Sequence, residues 1–122
     1  MTQRNEIRVL VVEDELPTQQ VLAEILTDEG YLVDVASHGL QALERVRVAL
    51  PDVVLLDLNM PVMDGWGFRK ALRQMEGGDR PRIILLTADY NSREKAERIG
   101  ARAYLTKPFD IDELLTKISE VA

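Results

Sequence analysis

Four carboxylates stand directly after, or at the end of, apolar runs of the sequence. Glu13, Asp14 and Glu15 follow the run RVLVV, and Asp57 ends the run VVLLD. This stretch alone leaves two roles open for Asp57, which are a nucleophile or metal ligand at a strand tip and the first residue of a turn. Because Pro61 lacks a backbone N–H and keeps its predecessor extended, the chain is expected to leave the sheet there as a loop.

Glu13, Asp14 and Asp57 predict a cation site, provided that the fold brings them together. Two carboxylates ~4 Å apart repel by roughly 4 kcal/mol at an effective dielectric constant of about 20, or about three pKa units. The three therefore cannot all stay ionised without a cation. Since only oxygen ligands are present, without His or Cys, Mg²⁺ is the expected ion. Glu15 is assigned instead to the start of the following helix, where the helix dipole favours an acid.

Thr87 and Lys107 are the polar residues at the ends of two further apolar runs, IILLT and AYLT. Taken singly, Thr87 is an ordinary β-branched strand end and Lys107 an ordinary solvated lysine. At one shared sheet edge, however, a hydroxyl and an ammonium suit a transferred phosphoryl group. Asp57 is then expected to be the nucleophile, which becomes an aspartyl phosphate.

The apolar runs alternate with residues at helical spacing, which predicts five strand–helix units. Gly30, Pro51 and Gly100 are expected to end helices, and Asn91 and Asp110 are expected to cap helices in capping-box register with an acid three residues later. The predicted strands are residues 8–12, 31–36, 53–57, 83–87 and 103–106.

The completeness of each apolar run predicts the order of the strands. Runs one, three and four are solidly apolar, whereas Asp34 interrupts the second and the fifth is short, so the second and fifth belong at the edges. The expected fold is an α/β, five-stranded parallel sheet of order 2-1-3-4-5 with helices on both faces. Ligands bind such sheets at the carboxyl ends of the strands, where strand order reverses.

Composition limits the function classes. A chain of 122 residues with 46% hydrophobic content suits one domain, residues 1–122. Fifteen Lys and Arg against 21 Asp and Glu give a net charge of −6, which argues against nucleic acid or an anionic membrane as the direct partner. The sequence has no cysteine and no apolar run of transmembrane or signal-peptide length, so a cytoplasmic protein is expected.

The motifs together resemble the receiver (CheY-like) domains of two-component response regulators, over essentially the whole chain. Besides the Asp57 strand, the likeness rests on VEDE (12–15), MDG (63–65), LTA (86–88) and LTKPF (105–109). Each motif alone is weak, but the set is highly specific. The resemblance implies a single receiver domain with the flavodoxin/CheY-like (βα)5 fold.

The resemblance also implies a role for each matching residue. Asp57 would be the phosphoacceptor, and Asp14, Asp57 and the backbone carbonyl of Asn59 would bind Mg²⁺ directly, with Glu13 completing the acidic pair, in many members through a water. Thr87 and Lys107 would contact the phosphoryl group, Tyr104 would be the switch aromatic, and the Lys107–Pro108 peptide bond is expected to be cis. At each functional position, this sequence has a residue that fits the family pattern.

The expected function is therefore phosphoacceptor signalling. A sensor histidine kinase, a phosphotransfer protein or a small acyl phosphate would phosphorylate Asp57, and this would switch a protein–protein interaction face for an unknown downstream protein or output domain. The chain is not expected to be a turnover enzyme. Since it ends after the last helical pattern, it is expected to be either a stand-alone regulator or a fragment of a longer one.

Three other functions compete with this interpretation. A haloacid-dehalogenase-type phosphatase requires a second acidic residue two positions after the nucleophile, where this chain has Asn59. A flavodoxin-like flavin binder needs a donor-rich phosphate loop after the first strand, where Glu13 and its acidic neighbours would repel phosphate. The alternative from a different class is an unphosphorylated receiver-fold interaction module, whose usual mark is a missing acid, Thr or Lys.

Overall fold

Strands and helices alternate along the chain, as predicted. The computed structural model describes residues 6–88 and 91–122, in which five strands and five helices are found. The strands are β1 (Arg8–Val12), β2 (Leu32–Ala36), β3 (Val53–Asp57), β4 (Arg82–Thr87) and β5 (Ala103–Thr106). The helices are α1 (Leu16–Asp28), α2 (Gly39–Val48), α3 (Gly65–Arg73), α4 (Ser92–Ile99) and α5 (Ile111–Val121).

Small corrections concern the ends of elements. β2 begins one residue later than predicted, at Leu32, and β4 one residue earlier, at Arg82. α2 ends at Val48 rather than near Leu50, because Ala49 is already extended, with φ −151° and ψ 117°. None of these shifts moves a site residue out of its predicted place.

The sheet is parallel and has the predicted order β2-β1-β3-β4-β5. β3 lies in the middle and is buried along its whole length, which is why it can be apolar on both faces. β2 lies at an edge, and its polar residue Asp34 accepts a hydrogen bond from Arg8 Nη1 at 3.2 Å. The apolar pattern therefore predicted the strand order correctly.

The helices cover both faces of the sheet. Buried side chains of α1 and α5 pack on one face, around Leu26 and Ile118. Those of α2, α3 and α4 pack on the other, around Phe68 and Ile99. In the described part of the chain, no helix is both long and apolar enough to span a bilayer.

Two helix starts that look alike in the sequence differ in the structure. Asp110 caps α5, since its Oδ1 accepts a hydrogen bond from Glu113 N at 2.7 Å. Asn91 stands at the same position before α4, but its side chain makes no capping hydrogen bond. The reason is its backbone, with φ −96° and ψ 46°, because a capping residue needs an extended conformation. The capping box predicted for Asn91 and Glu94 is therefore wrong.

Candidate functional site

The predicted site residues meet at the carboxyl edge of the sheet. Glu13 follows β1, Asp57 ends β3, Thr87 ends β4 and Lys107 follows β5. β1 and β3 are hydrogen-bonded neighbours although β2 lies between them in sequence, so the strand order reverses here, as at the ligand sites of such folds. The topology thereby joins residues that are 94 positions apart, Glu13 and Lys107.

Lys107 links two carboxylates across this edge. Its Nζ lies 2.7 Å from Glu13 Oε1 and 3.1 Å from Asp57 Oδ2. The Lys107–Pro108 peptide bond is cis, as expected. Burial lowers the pKa of Lys107, but the hydrogen bond to Glu13 and the charge of Asp57 outweigh it, so the pKa lies above its usual value. The ammonium group therefore stays charged at neutral pH.

Three carboxylates cluster beside this ammonium group, which contacts two of them, Glu13 and Asp57. Oxygen atoms of Glu13, Asp14 and Asp57 all lie within 4.8 Å of one another. One positive charge against three negative charges leaves an excess that a divalent cation would neutralise. An all-oxygen donor set of this kind fits Mg²⁺, which binds through few carboxylates and keeps several waters. The geometry therefore agrees with the predicted metal site.

Burial strongly affects the pKa of Glu13. Its side chain is fully buried, and this burial is the main cause that raises its pKa to about 7. The hydrogen bond from Lys107 lowers the pKa, but less than burial and the neighbouring Asp57 raise it. In the metal-free molecule Glu13 therefore exchanges a proton near neutral pH, where a bound cation would favour the ionised form.

Asp57 is held by the loop that follows it. Its Oδ1 accepts a hydrogen bond from the backbone N–H of Asn59 at 3.1 Å, and its Oδ2 faces Lys107. The Asn59 side chain is exposed, which suits the prediction that this residue acts through its backbone carbonyl. Both oxygens of the carboxylate are thus oriented before any ligand arrives.

Gly65 lets the β3–α3 loop fold back over the site. Its N–H donates to Leu58 O at 3.0 Å, and a Cβ at this position would lie 2.7 Å from Asp57 O. No side chain fits at that distance, so only glycine allows this close approach. The glycine of the MDG motif is therefore required for the position of the Asp57 backbone.

Thr87 and Tyr104 lie on the same face of neighbouring strands. Leu85 pairs with Tyr104, and Thr87 pairs with Thr106, and alternate residues of a strand share a face. Thr106 Oγ1 donates to Ser92 Oγ at 3.2 Å in the first turn of α4, so this is the α4 face. Thr87 is buried, whereas Tyr104 is 37% exposed. The two predicted switch residues thus share a face at diagonal positions of neighbouring strands, and only Tyr104 is open to solvent.

Gln19 contributes to the site and was missed by the sequence reasoning. Its buried Nε2 lies 2.9 Å from Glu13 O and 3.1 Å from Ala36 O. It thereby ties the β1–α1 loop to the end of β2. The clue was present, because Gln19 precedes Leu22 and Leu26 at helical spacing and is the polar member of the buried stripe of α1.

Comparison with known proteins identifies the same family. The model of the response regulator receiver domain matches residues 9–119. Transcriptional regulatory protein PcoR of Escherichia coli is 38% identical over 113 residues, which cover 91% of this chain and 49% of PcoR. The chain thus spans about half the length of curated relatives such as PcoR.

Solved structures agree in fold. Chemotaxis protein CheY4 of Vibrio cholerae superposes with a TM-score of 0.87 at 35% identity, covering 95% of this chain and 98% of that chain. Response regulator TrrA of Thermotoga maritima, solved in complex with Mg²⁺-BeF, gives a TM-score of 0.82 at 34% identity, covering 95% and 99% of the two chains. Sequence motifs, sheet order, acidic pocket and family match all agree: this chain belongs to the response regulator receiver domain family of two-component systems.

Proposed function

We propose that Asp57 accepts a phosphoryl group from the phosphohistidine of a sensor histidine kinase or phosphotransfer protein, or from a small acyl phosphate. The observation that carries this proposal is the contact of Lys107 Nζ with both Glu13 and Asp57, at 2.7 and 3.1 Å. An oriented carboxylate next to a half-buried ammonium group is suited to receive a phosphoryl group, whose negative charge the ammonium group offsets.

In the proposed step, a carboxylate oxygen of Asp57 forms a bond to phosphorus. The bond between phosphorus and the donor nitrogen or oxygen breaks, and the leaving group keeps the electron pair. Lys107 Nζ and the Thr87 hydroxyl then contact phosphoryl oxygens. Water later attacks phosphorus, the bond between phosphorus and the Asp57 oxygen breaks, and phosphate and the free carboxylate are released. In this proposal the chain serves to carry the phosphoryl group, not to turn over an external substrate.

Mg²⁺ is the proposed cofactor. The side chains of Glu13, Asp14 and Asp57 and the backbone carbonyl of Asn59 would hold it, with Glu13 acting in part through water. The ion would neutralise the carboxylates and the incoming phosphoryl charge. Support comes from the clustered carboxylate oxygens and from TrrA, whose structure contains Mg²⁺-BeF.

The proposed output is a change in a protein–protein interaction face formed by α4, β5 and α5. The hydroxyl of Thr87 would move toward the phosphoryl group, and Tyr104 would rotate into the vacated space. The partner would be a downstream protein or an output domain. We further propose that residues 1–122 form a single receiver domain acting in the cytoplasm, with no direct contact to nucleic acid or membrane, in keeping with a net charge of −6.

Intact-mass measurement after incubation with acetyl phosphate and Mg²⁺ tests the proposal. The parent chain should gain the mass of one phosphoryl group, whereas Asp57→Ala or parent protein in excess chelator should gain none. Asp52→Ala is a matched control, because Asp52 is an exposed carboxylate just before β3, and it should be labelled like the parent.

Equal labelling of Asp57→Ala and parent would overturn the proposal. No labelling of a folded parent chain, by acetyl phosphate or by a phosphohistidine donor, would instead support the unphosphorylated interaction module.

A further inference from the structure

A second group of charged side chains lies between α3 and α4, and none of its members belongs to the acidic site. A cleft of about 390 Å³ opens there, and its lining includes Trp66, Arg69, Lys70, Arg73 and Arg98. Four cations line one cleft in a chain whose net charge is −6. Such a local excess of positive charge attracts anions.

Two of these cations converge on one backbone oxygen. Arg69 Nε donates to Ile99 O at 3.0 Å, and Arg73 Nη2 donates to the same oxygen at 3.2 Å. Gly100 makes room for them, since a Cβ there would lie 2.5 Å from Arg73 Nη2. Both guanidinium groups thus sit at the carboxyl end of α4, whose dipole favours positive charge.

Capping of α4 does not account for the whole arrangement. Arg69 is only 8% exposed, yet among the residues that the structure describes its Nη1 has no hydrogen-bond partner. Burial, followed by the charge of Arg73, lowers the pKa of Arg69, and Asp79 opposes this only as the weakest cause. A buried guanidinium nitrogen without an acceptor is costly and calls for a partner.

In the described part of the chain, the charge of Asp79 is the only opposite charge that acts on the pKa of Arg69, and it acts weakly. Within residues 6–88 and 91–122, the ion pairs found join Arg8 to Asp34, Arg93 to Glu97, and Lys107 to the acidic site, so no carboxylate pairs with a cation of the cleft. Arg98 instead lies over the ring of Trp66, 5.4 Å from its centroid. An indole face offers only a weak partner to a cation at the surface.

We propose that this cleft binds a small, multiply charged oxyanion of the phosphate class. Planar guanidinium groups donate in pairs to such oxygens, and Lys70 adds a further charge. The anion would relieve the repulsion between Arg69 and Arg73. Phosphate groups can be free or carried by a nucleotide, and the half-buried Trp66 would contact the base of a nucleotide.

NMR titration of the isotope-labelled chain with sodium pyrophosphate, without Mg²⁺ and at constant ionic strength, tests the proposal. Saturable shifts are expected at the Trp66 indole N–H, the Arg69 Nε–H and the Gly100 amide. Arg73→Gln should weaken binding about tenfold, as the loss of one charge-assisted contact does. Arg73 is exposed, so this variant is expected to fold.

Two matched controls isolate the cleft. Arg47→Gln makes the same charge change at an exposed position on α2, and Asp57→Asn alters the acidic site, and both should bind as the parent does. Equal affinity for pyrophosphate and ATP would assign the site to free phosphates, and tighter binding of ATP would assign it to nucleotides.

Chemical shift changes that fail to saturate would overturn the proposal. So would equal weakening of binding in Arg47→Gln and Arg73→Gln, or loss of the shift changes in Asp57→Asn. The outcome of this titration does not depend on whether Asp57 is phosphorylated. Phosphorylation of Asp57 is tested separately, by intact-mass measurement.

Discussion

At Glu13 the cost of burying a carboxylate exceeds the stabilisation that Lys107 provides, although the two side chains are only 2.7 Å apart. The pKa of about 7, against 4.5 for an ordinary glutamate, shows that the ionised form is disfavoured. Phosphoacceptor chemistry, as proposed, would need this charge, because an ionised Glu13 attracts the cation. The metal-free molecule is therefore expected to be strained electrostatically at neutral pH.

This shift predicts how stability depends on pH in a chelating buffer. Below about pH 4.5 Glu13 is protonated in both states and contributes nothing, whereas between about pH 4.5 and 7 only the unfolded state releases the proton, so the free energy of unfolding falls as pH rises. Above about pH 7 the loss is complete, and a shift from 4.5 to about 7 corresponds to a loss on the order of 3 kcal/mol.

Glu13→Gln removes this titrating group. Urea unfolding at pH 5 and pH 8 should show the variant gaining stability relative to the parent at the higher pH, because Gln carries no charge to bury. Mg²⁺ should reduce the difference, because it stabilises the parent, which keeps all three carboxylates, more than it stabilises the variant. A difference between variant and parent that stays constant with pH would contradict this account.

At the scale of elements, the β3–α3 connection combines tight packing with an unusual backbone. Val62 has φ 67°, a left-handed conformation that β-branched residues rarely adopt. Met63 N–H donates to Pro61 O at 2.7 Å across it. The loop thus turns sharply between Asn59 and the start of α3 at Gly65.

Gly65→Ala is predicted to lower the free energy of unfolding by about 1–3 kcal/mol, because its Cβ would overlap Asp57 O. Phosphoryl uptake from acetyl phosphate should slow as well, since the Asp57 backbone must shift. Gly67→Ala is the matched control. Its Cβ would come closest to the flexible side chain of Met63, at 3.1 Å, and would meet Asp64 Oδ1 at an ordinary contact distance of 3.6 Å. Alanine also favours a helix by up to about 1 kcal/mol. Equal losses for both variants would refute the proposed role of Gly65.

The different starts of α4 and α5 predict different stability losses when the residue just before each helix is replaced by alanine. Asp110→Ala should cost about 1 kcal/mol, because the capping hydrogen bond to Glu113 N is lost. Asn91→Ala should change stability by no more than about 0.5 kcal/mol, because the Asn91 side chain caps nothing. Chemical denaturation of the two variants measures both values, and a loss at Asn91 as large as that at Asp110 would show that α4 is capped after all.

At the scale of the whole molecule, the proposed switch connects the acidic edge to the α4–β5–α5 face. Buried Thr87 and half-exposed Tyr104 share one face of the sheet, and the Thr106–Ser92 contact joins β5 to the start of α4. A small movement at Thr87 can therefore reach Tyr104 and α4 through direct neighbours. Coupling of about 1–3 kcal/mol, typical of allosteric proteins, would suffice.

Beryllofluoride with Mg²⁺, a mimic of the phosphoryl group, is predicted to shift amide resonances both at the acidic edge and across residues 92–106. Thr87→Ala should keep the shifts near Asp57 and reduce those near Tyr104, because the hydroxyl is the proposed link. Thr27→Ala, at an exposed position of α1, should behave as the parent does. Shifts confined to the acidic edge in the parent would leave an acceptor without a switch.

The sequence by itself determined the fold and the chemistry of the acidic site. Uninterrupted apolar runs can lie only in the covered middle of a parallel sheet, so the central and edge strands followed from Asp34 and from the short fifth run. The strand order then placed Glu13, Asp57 and Lys107 at one edge. The resemblance of the motifs supplied the roles of Asn59 and Tyr104, which remain predictions here.

The tertiary structure alone decided how strongly these groups interact. Three features result from burial between elements distant in sequence. They are the raised pKa of Glu13, the hydrogen bonds of the Gln19 amide, and the buried Nη1 of Arg69, which has no partner within the described residues. Residue type and spacing do not reveal burial of polar atoms, because desolvation depends on which side chains meet across the sheet. For the same reason the sequence predicted a cap at Asn91 that the backbone of the folded chain does not allow.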